Sequence, residues 1–291
     1  MQIAYHLGAH GTDGGRLVRS LLKDRALLLD HGIAVPMPKT YRQALVRIVK
    51  SLGGAPASAE AQQVILDAVL EGDAPERLIF SHENLICYPS QAIRSRGLYA
   101  GLAQRVAALA NLFPDTESEF FLAICNPALL VPALVEKVPE GGYENVMGGA
   151  DPLTLRWAPA IRRVFEAVPD ARLTVWCSED MPLLWPDILR ALTGLEASVA
   201  LEGDLDMAGA VLLPDGLMRL QAFLAAHPPR DAAQWRRAVS AFLDKYADPE
   251  SLEQEVELPG WTAGLVEEMT RFYLADCAEV AAIPGVRFLA P

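Results

Sequence analysis

Four short runs rich in β-branched and aromatic residues, each separated from the next by long stretches of helical periodicity, constrain this chain more than any other feature. They lie at Gln2 to Leu7, Arg77 to Ser81, Glu119 to Cys125 and Arg172 to Cys177, bounded by turn residues. Strands that alternate with helices pair side by side through crossovers, so the pattern implies a parallel sheet. The expected fold class is α/β, three layers deep, with a central, mostly parallel sheet flanked by helices. A chain of 291 residues with 52% hydrophobic side chains can bury a sizeable core. Nothing in its composition shifts enough to demand a second unit, so residues 1–291 read as a single domain.

The helical stretches carry their own signals. A first helix is expected from near Gly14, turning Leu17, Leu21, Leu22 and Leu28 inward. A second covers Ala59 to Leu70 with Val64, Ala68 and Val69 on its apolar face, and a third runs from Leu98 to Leu112. Near the end, Thr262 is positioned as an N-cap, after which Val266, Met269, Tyr273, Cys277 and Val280 recur along one face. Pro139 to Pro152, interrupted by Gly141, Gly142, Gly148 and Gly149, reads as a long loop able to serve as a lid. Further breaks fall at Glu202 to Asp206 and at His227, Pro228 and Pro229.

Charge narrows the partners. With 37 acidic against 25 basic side chains, the formal charge is −12, which repels nucleic-acid backbones and anionic lipid; neither nucleic acid nor membrane is expected as a partner. Met1 to Leu7 has no export pattern and no apolar run approaches the length of a spanning helix, so a cytoplasmic location is expected. Cys87, Cys125, Cys177 and Cys277 include no Cys-x-x-Cys pair and read as buried free thiols in a reducing cytoplasm.

The first strand runs into Leu7-Gly8-Ala9-His10-Gly11-Thr12-Asp13-Gly14-Gly15 and then a helix, a unit of the kind that holds phosphate on helix N-terminal amides. It has neither the Gly-Lys-Ser/Thr ending of a Walker A loop nor the spacing of a dinucleotide fingerprint. His6-Leu7-Gly8-Ala9-His10, followed by a leucine-rich helix and His31-Gly32-Ile33-Ala34-Val35-Pro36, resembles the opening of bacterial P-loop sulfotransferases. Later segments resemble the same family in order: Leu78 to Leu85 with Ser81-His82-Glu83-Asn84, Phe121 to Lys137 with Asn126-Pro127, Trp157 to Leu195 with Trp176-Cys177-Ser178-Glu179-Asp180 and then Pro186, and Tyr273-Leu274-Ala275-Asp276. The resemblance implies a P-loop-type fold. It also implies sulfuryl transfer from 3′-phosphoadenosine 5′-phosphosulfate to a hydroxyl or amine of a small-molecule or glycan-like acceptor. Gly8, Gly11, Thr12, Gly14, Gly15 and Arg16 would surround the donor.

This chain departs from that pattern where the family places charge. The loop lysine position is Gly11, the hydroxyls after Thr12 are replaced by Asp13 and glycine, and the 3′-phosphate arginine and serine positions are Cys125 and Ala133. Charge-assisted contacts contribute about 1.5 to 3 kcal/mol each, so their joint loss disfavours a polyanionic donor. Asp13 opposes it further. A rebuilt anion site would have to draw on Arg16, Arg19, Lys23, Arg94 or Arg96. The alternative is a pseudoenzyme that keeps the fold as a binding or scaffold surface. A third possibility is a less anionic ligand read by Asp13.

The loops following parallel strands gather on one edge, which should bring together His10, Ser81, His82, Glu83, Asn126, Ser178, Glu179 and Asp180. Among these, Glu83 is the candidate general base, with His10 or His82 as substitutes. No metal site is expected from His6, His10 and Glu83, because His6 points along a strand and His10 lies beyond a turn. Ser81 lacks the Gly-x-Ser-x-Gly elbow of a serine nucleophile. Trp157, Trp176 and Trp185 read as core or loop anchors and not as a substrate platform.

Overall fold

The computed structural model describes residues 1–70, 72, 75–138, 142–252 and 258–291. Its strands are β1 (Gln2–His6), β2 (Ile33–Ala34), β3 (Arg77–Ser81), β4 (Ile93–Arg94), β5 (Gly97–Leu98), β6 (Glu117–Ile124), β7 (Arg172–Cys177) and β8 (Val286–Leu289). Six of them form one sheet in the order β2-β3-β1-β6-β7-β8 with every pair parallel, while β4 and β5 make a small antiparallel hairpin. The four strands legible in the sequence are the central four. The edges, β2 and β8, escaped it because two and four residues are too short to display a period.

Helices α1 (Arg16–Lys23) and α2 (Arg25–Asp30) follow β1, and α3 (Pro38–Leu52) and α4 (Ala59–Val69) connect β2 to β3. Helix α5 (Leu102–Ala110) precedes β6; α6 (Pro127–Lys137), α7 (Gly142–Met147) and α8 (Ala158–Ala167) join β6 to β7. Between β7 and β8 lie α9 (Met181–Thr193), α10 (Asp206–Gly209), α11 (Pro214–Ala226), α12 (Ala232–Tyr246), α13 (Pro249–Leu252) and α14 (Ala263–Ala281).

Side chains alternate across a strand, and here the alternation feeds two separate cores. Ile3, Tyr5, Phe80, Phe120, Leu122 and Val175 point to one face, under α3, α5, α6 and α8. Ala4, Ile79, Phe121, Ala123 and Trp176 point to the other, where Leu17, Leu21, Trp185 and Ile188 of α1 and α9 cover them. Each leucine, isoleucine, valine or phenylalanine among them contributes about 1.5 to 3 kcal/mol when fully buried. Both faces are therefore covered, as buried parallel strands require. Trp157, Trp176 and Trp185 are fully buried, consistent with core anchors.

Several expected boundaries are corrected. The first helix breaks at Asp24 into α1 and α2, and Leu22 is only half buried. In α4 the inward residue is Ile65 while Val64 and Ala68 are exposed, a phase error of one position in a helix whose alanines blur its apolar stripe. Leu98 belongs to the β5 hairpin, so the next helix starts at Leu102. The expected loop at Pro139 to Pro152 holds the short helix α7, and 139–141 lie outside the described residues. The break at Glu202 to Asp206 is a 3₁₀ turn running into α10. The terminal helix follows its expected pattern: Thr262 Oγ1 accepts the Leu265 N–H at 3.2 Å, and Met269, Tyr273 and Val280 are buried.

Candidate functional site

Helices α1 and α6 leave the sheet from neighbouring strands, β1 and β6, but cover opposite faces, since Leu17 and Leu21 join one core and Leu130, Val131 and Leu134 the other. A crevice opens where such connections part, at the carboxyl ends of the strands. The loop from Gly8 to Gly15 lies there. Gly8, Gly11, Gly14 and Gly15 hold φ of +70°, +73°, +56° and +74°, the left-handed region that side chains resist. Gly8 has a second reason to be glycine: a Cβ on it would stand 2.8 Å from the Glu83 Cα, so the loops after β1 and β3 touch backbone to backbone. At Gly11 a Cβ would stand 2.6 Å from the Ala133 Cβ of α6. The two positions where the resemblance expects lysine and serine are thus packed on each other as glycine and alanine.

The first amides of α1 are met from within the loop. Asp13 is buried, its Oδ2 accepts the Leu17 N–H at 2.9 Å, and its carbonyl accepts the Arg16 N–H at 2.9 Å. A carboxylate at a helix N-terminus is favoured by the partial positive charge of the exposed amides, the same field that would attract phosphate. The sequence reading expected Asp13 to repel a ligand; its geometry adds that it takes the donor amide a ligand would use. Thr12 turns its hydroxyl inward to the Ala9 carbonyl at 2.8 Å. Arg16 reaches the Met207 sulfur at 3.7 Å, Arg19 the Gly14 carbonyl at 3.1 Å, and Lys23 pairs with Asp206. Arg94 and Arg96 sit on and beside the β4–β5 hairpin, exposed.

His10 is fully buried inside this loop, against Tyr99. The Tyr99 hydroxyl accepts the His10 backbone N–H at 3.0 Å and donates to Nδ1 at 2.7 Å, which leaves Nε2 to donate to Asn84 Oδ1 at 2.9 Å. Both ring nitrogens are engaged in the neutral form. Burial pulls the His10 pKa below the usual imidazole value, and the nearby Lys137 charge adds to this, against the opposing pull of Asn84 and Glu83. Tyr99 holds φ of +44°, rare for a residue with a side chain, and its ring stacks between His10 and Trp157 at centroid distances of 5.8 and 5.1 Å. This stack over-determines a strained backbone.

Glu83, the candidate base, is clamped by Lys137 from the last turn of α6, whose ammonium lies 3.2 and 3.0 Å from its two oxygens. The pair is about one-third exposed on each side, so its attraction is softened by water. His82 accepts the Asn84 N–H at Nδ1 at 3.0 Å, and burial lowers its pKa. Ser81 and His6 meet beneath the loop at 2.7 Å, both buried, with the His6 ring stacked on Trp176. Burial holds His6 neutral, opposed by the charge of Asp13. The Ser81 hydroxyl and the His6 ring are enclosed together and His6 Nε2 has no hydrogen-bond partner among the described residues, so the pair is a core device.

The remaining residues of the edge brace it. Glu179 accepts the Asn126 N–H at 2.7 Å through Oε1 and the Tyr273 hydroxyl at 2.9 Å through Oε2. Three positions on, buried Asp276 caps α8 by accepting the Trp157 N–H at 2.5 Å and the Arg156 Nε at 3.1 Å. Tyr273 and Asp276 thereby tie α14 across the strand ends. All four cysteines are free, but only Cys125 and Cys177 are buried as expected, Cys87 and Cys277 being partly exposed; Cys177 and Cys277 approach to 3.5 Å. Among the described residues no group of three or more His, Cys, Asp or Glu side chains is arranged to hold a metal, and no helix is long and apolar enough to cross a membrane.

The structure thus brings His10, Ser81, His82 and Glu83 to one edge, and adds Tyr99, Asn84 and Lys137, which sequence reasoning did not assign a role. Lys137 reads locally as one more basic residue in a helical last turn, and Tyr99 lies 89 positions from His10. Only the positive φ of Tyr99 marks it, and that is a property of the backbone.

No protein-family model matches the chain, and no curated protein matches it in sequence. Among solved structures, a sulfotransferase from Alicyclobacillus acidocaldarius is similar at 17% identity, covering 83% of this chain and 98% of that one, with a TM-score of 0.41.

Proposed function

We propose that this chain is a non-catalytic binding protein on a sulfotransferase-like scaffold, its donor loop closed by its own carboxylate. The observation that carries this reading is the 2.9 Å hydrogen bond from the Leu17 amide to Asp13 Oδ2. A phosphate oxygen and a carboxylate oxygen cannot share that amide, and their like charges a few ångströms apart repel by about 1 to 4 kcal/mol at effective dielectrics of 80 to 20. Gly11 against Ala133 and the buried, uncharged Cys125 support the same conclusion, because the cationic positions of the family pattern have become packing contacts. Partners of such a protein are small molecules or proteins, since its acidic surface repels nucleic acid and anionic membranes.

Isothermal calorimetry with 3′-phosphoadenosine 5′-phosphate tests this directly. The expected result is no binding at the loop at concentrations up to about 1 mM, and a submillimolar Kd for nucleotide that a soaked crystal shows seated over the Leu17 amide overturns the proposal.

A second reading rests on Lys137. Its ammonium stands beside Glu83 and close enough to His10 to bias that residue's titration. In this reading a lysine relocated to α6 would neutralise the sulfuryl group while Glu83 accepts the acceptor's proton, in an in-line transfer from the same donor. Nucleotide binding that is lost in Lys137→Ala selects this reading over the first.

A further inference from the structure

A second cleft lies between α3 and α5, behind the loop that leaves β3, with a volume of about 470 Å³. That size falls in the range of about 300 to 1,000 Å³ typical of small-molecule sites. We propose that it binds a small organic anion, its charged group held by Lys50, Arg94 and Arg105 and its apolar body resting on Val49, Ile86 and Ala108.

The lining carries three cations and no carboxylate, in a chain where acidic side chains outnumber basic ones by 37 to 25. Three like charges gathered in a concave wall repel one another and focus a positive potential, which an anion relieves. The three come from separate elements: Lys50 from the last turn of α3, Arg94 from β4 and Arg105 from α5. Among the described residues, Lys50 and Arg94 form no ion pair, and the hydrogen bond of Arg105 is the one from Nε to the Ile86 carbonyl at 3.1 Å. That bond anchors one edge of the guanidinium and leaves the two Nη groups, the fork that grips carboxylate, sulfate or phosphate, without a partner among the described residues.

Arg105 is also partly withdrawn from water, and burial pulls its pKa down. Taking a guanidinium out of water without a counter-charge is unfavourable, and an anionic ligand would offset the cost. The neighbouring Cys87 reports the same field: burial pushes its thiol up to about 12, while the charges of Arg105 and Arg94 pull the other way. Both guanidinium groups therefore act on one spot. Gln91 and Gln104 add neutral donors to the cleft, and the apolar floor selects a ligand with a hydrocarbon or aromatic body over a bare inorganic ion.

The proposal goes beyond the reading of the loop and stands on different residues. Its test is calorimetry on the full chain with 1-naphthyl phosphate, 1-naphthyl sulfate and 1-naphthoate, and with uncharged 1-naphthol. At least one anion should bind with a submillimolar Kd and at least about tenfold more tightly than the naphthol, and the order among the three tells which head group the cleft prefers. Lys50→Ala and Arg94→Glu alter exposed side chains outside any ion pair, so folding, checked by circular dichroism, is retained while anion affinity falls about tenfold or more. The proposal is overturned if no anion binds, if naphthol binds as tightly, or if Lys50→Ala and Arg94→Glu bind like the wild type. A nucleotide that binds and is displaced by 1-naphthyl phosphate places the nucleotide in this cleft and leaves the closed loop standing.

Discussion

Replacing Asp13 by alanine removes the group on which the closed-loop argument turns, and the structure sets the size of the effect. The side chain supplies one hydrogen bond to a helix-terminal amide, at 2.9 Å from Leu17, and caps of this kind contribute about 1 kcal/mol. Its charge also faces the dipole of α1 from a buried position, a term of about 1 kcal/mol. Together the loss should be about 2 kcal/mol. For a chain of this size a kilocalorie corresponds to about 2 °C, so melting should fall by about 4 °C. Asp13→Asn keeps an acceptor and loses the charge, and should show about half the shift. The vacated amide then becomes available to an anion. A site with a Kd of about 10 mM would return about 1.4 kcal/mol at 100 mM sulfate. Because sulfate stabilises folded proteins generally, the quantity to read is the extra gain of Asp13→Ala over the wild type, expected at about 3 °C. Equal gains in both proteins, or an alanine variant that melts with the wild type, would refute the assignment of Asp13 as the occupant of the anion position.

Two glycines of the loop separate conformation from contact. Gly8→Ala meets both a left-handed φ, costing about 1 to 2 kcal/mol, and the Glu83 backbone at 2.8 Å, costing about 1 to 3 kcal/mol more. Gly14→Ala meets the φ term alone, because a Cβ there finds nothing within 4 Å. Urea denaturation should rank Gly8→Ala as the more damaging, and equal losses would remove the backbone contact from the explanation. Acid sensitivity follows from His6 and His10, whose folded pKa values are lowered by burial from an ordinary value of 6.5. Below 6.5 the unfolded chain takes up protons that the folded one refuses. Stability present at neutral pH is therefore lost as pH falls below that value, by at most about 1.4 kcal/mol per pH unit for each histidine until its folded pKa is reached. His10→Gln should start less stable at pH 7.5 yet decline less steeply to pH 5.5. An unchanged slope would mean that His10 titrates in the folded state.

The central strands, the glycine loop and the capped terminal helix were legible in the sequence, because each is a local matter. A run such as Leu78-Ile79-Phe80 can be satisfied only where both faces of a strand are buried, and Thr262 caps its helix through a hydrogen bond three residues away. The same periodicity misplaced α4 by one position, since alanine faces carry little contrast, and left out β2, which exists through its pairing with β3. What the loop does was settled by contacts that the crossovers create. Lys137 reaches Glu83 over 54 positions, Tyr99 reaches His10 over 89, and Ala133 closes on Gly11 because α6 leaves the strand beside β1. Asp13 shows the division most clearly. Its charge and its place after a strand could be read from the chain, which made it a group hostile to phosphate. That its carboxylate turns back onto the Leu17 amide depended on the left-handed glycines and on the burial imposed by both layers. Apolar periodicity records which faces must leave water. The partner that each polar atom finds is decided only when the layers meet.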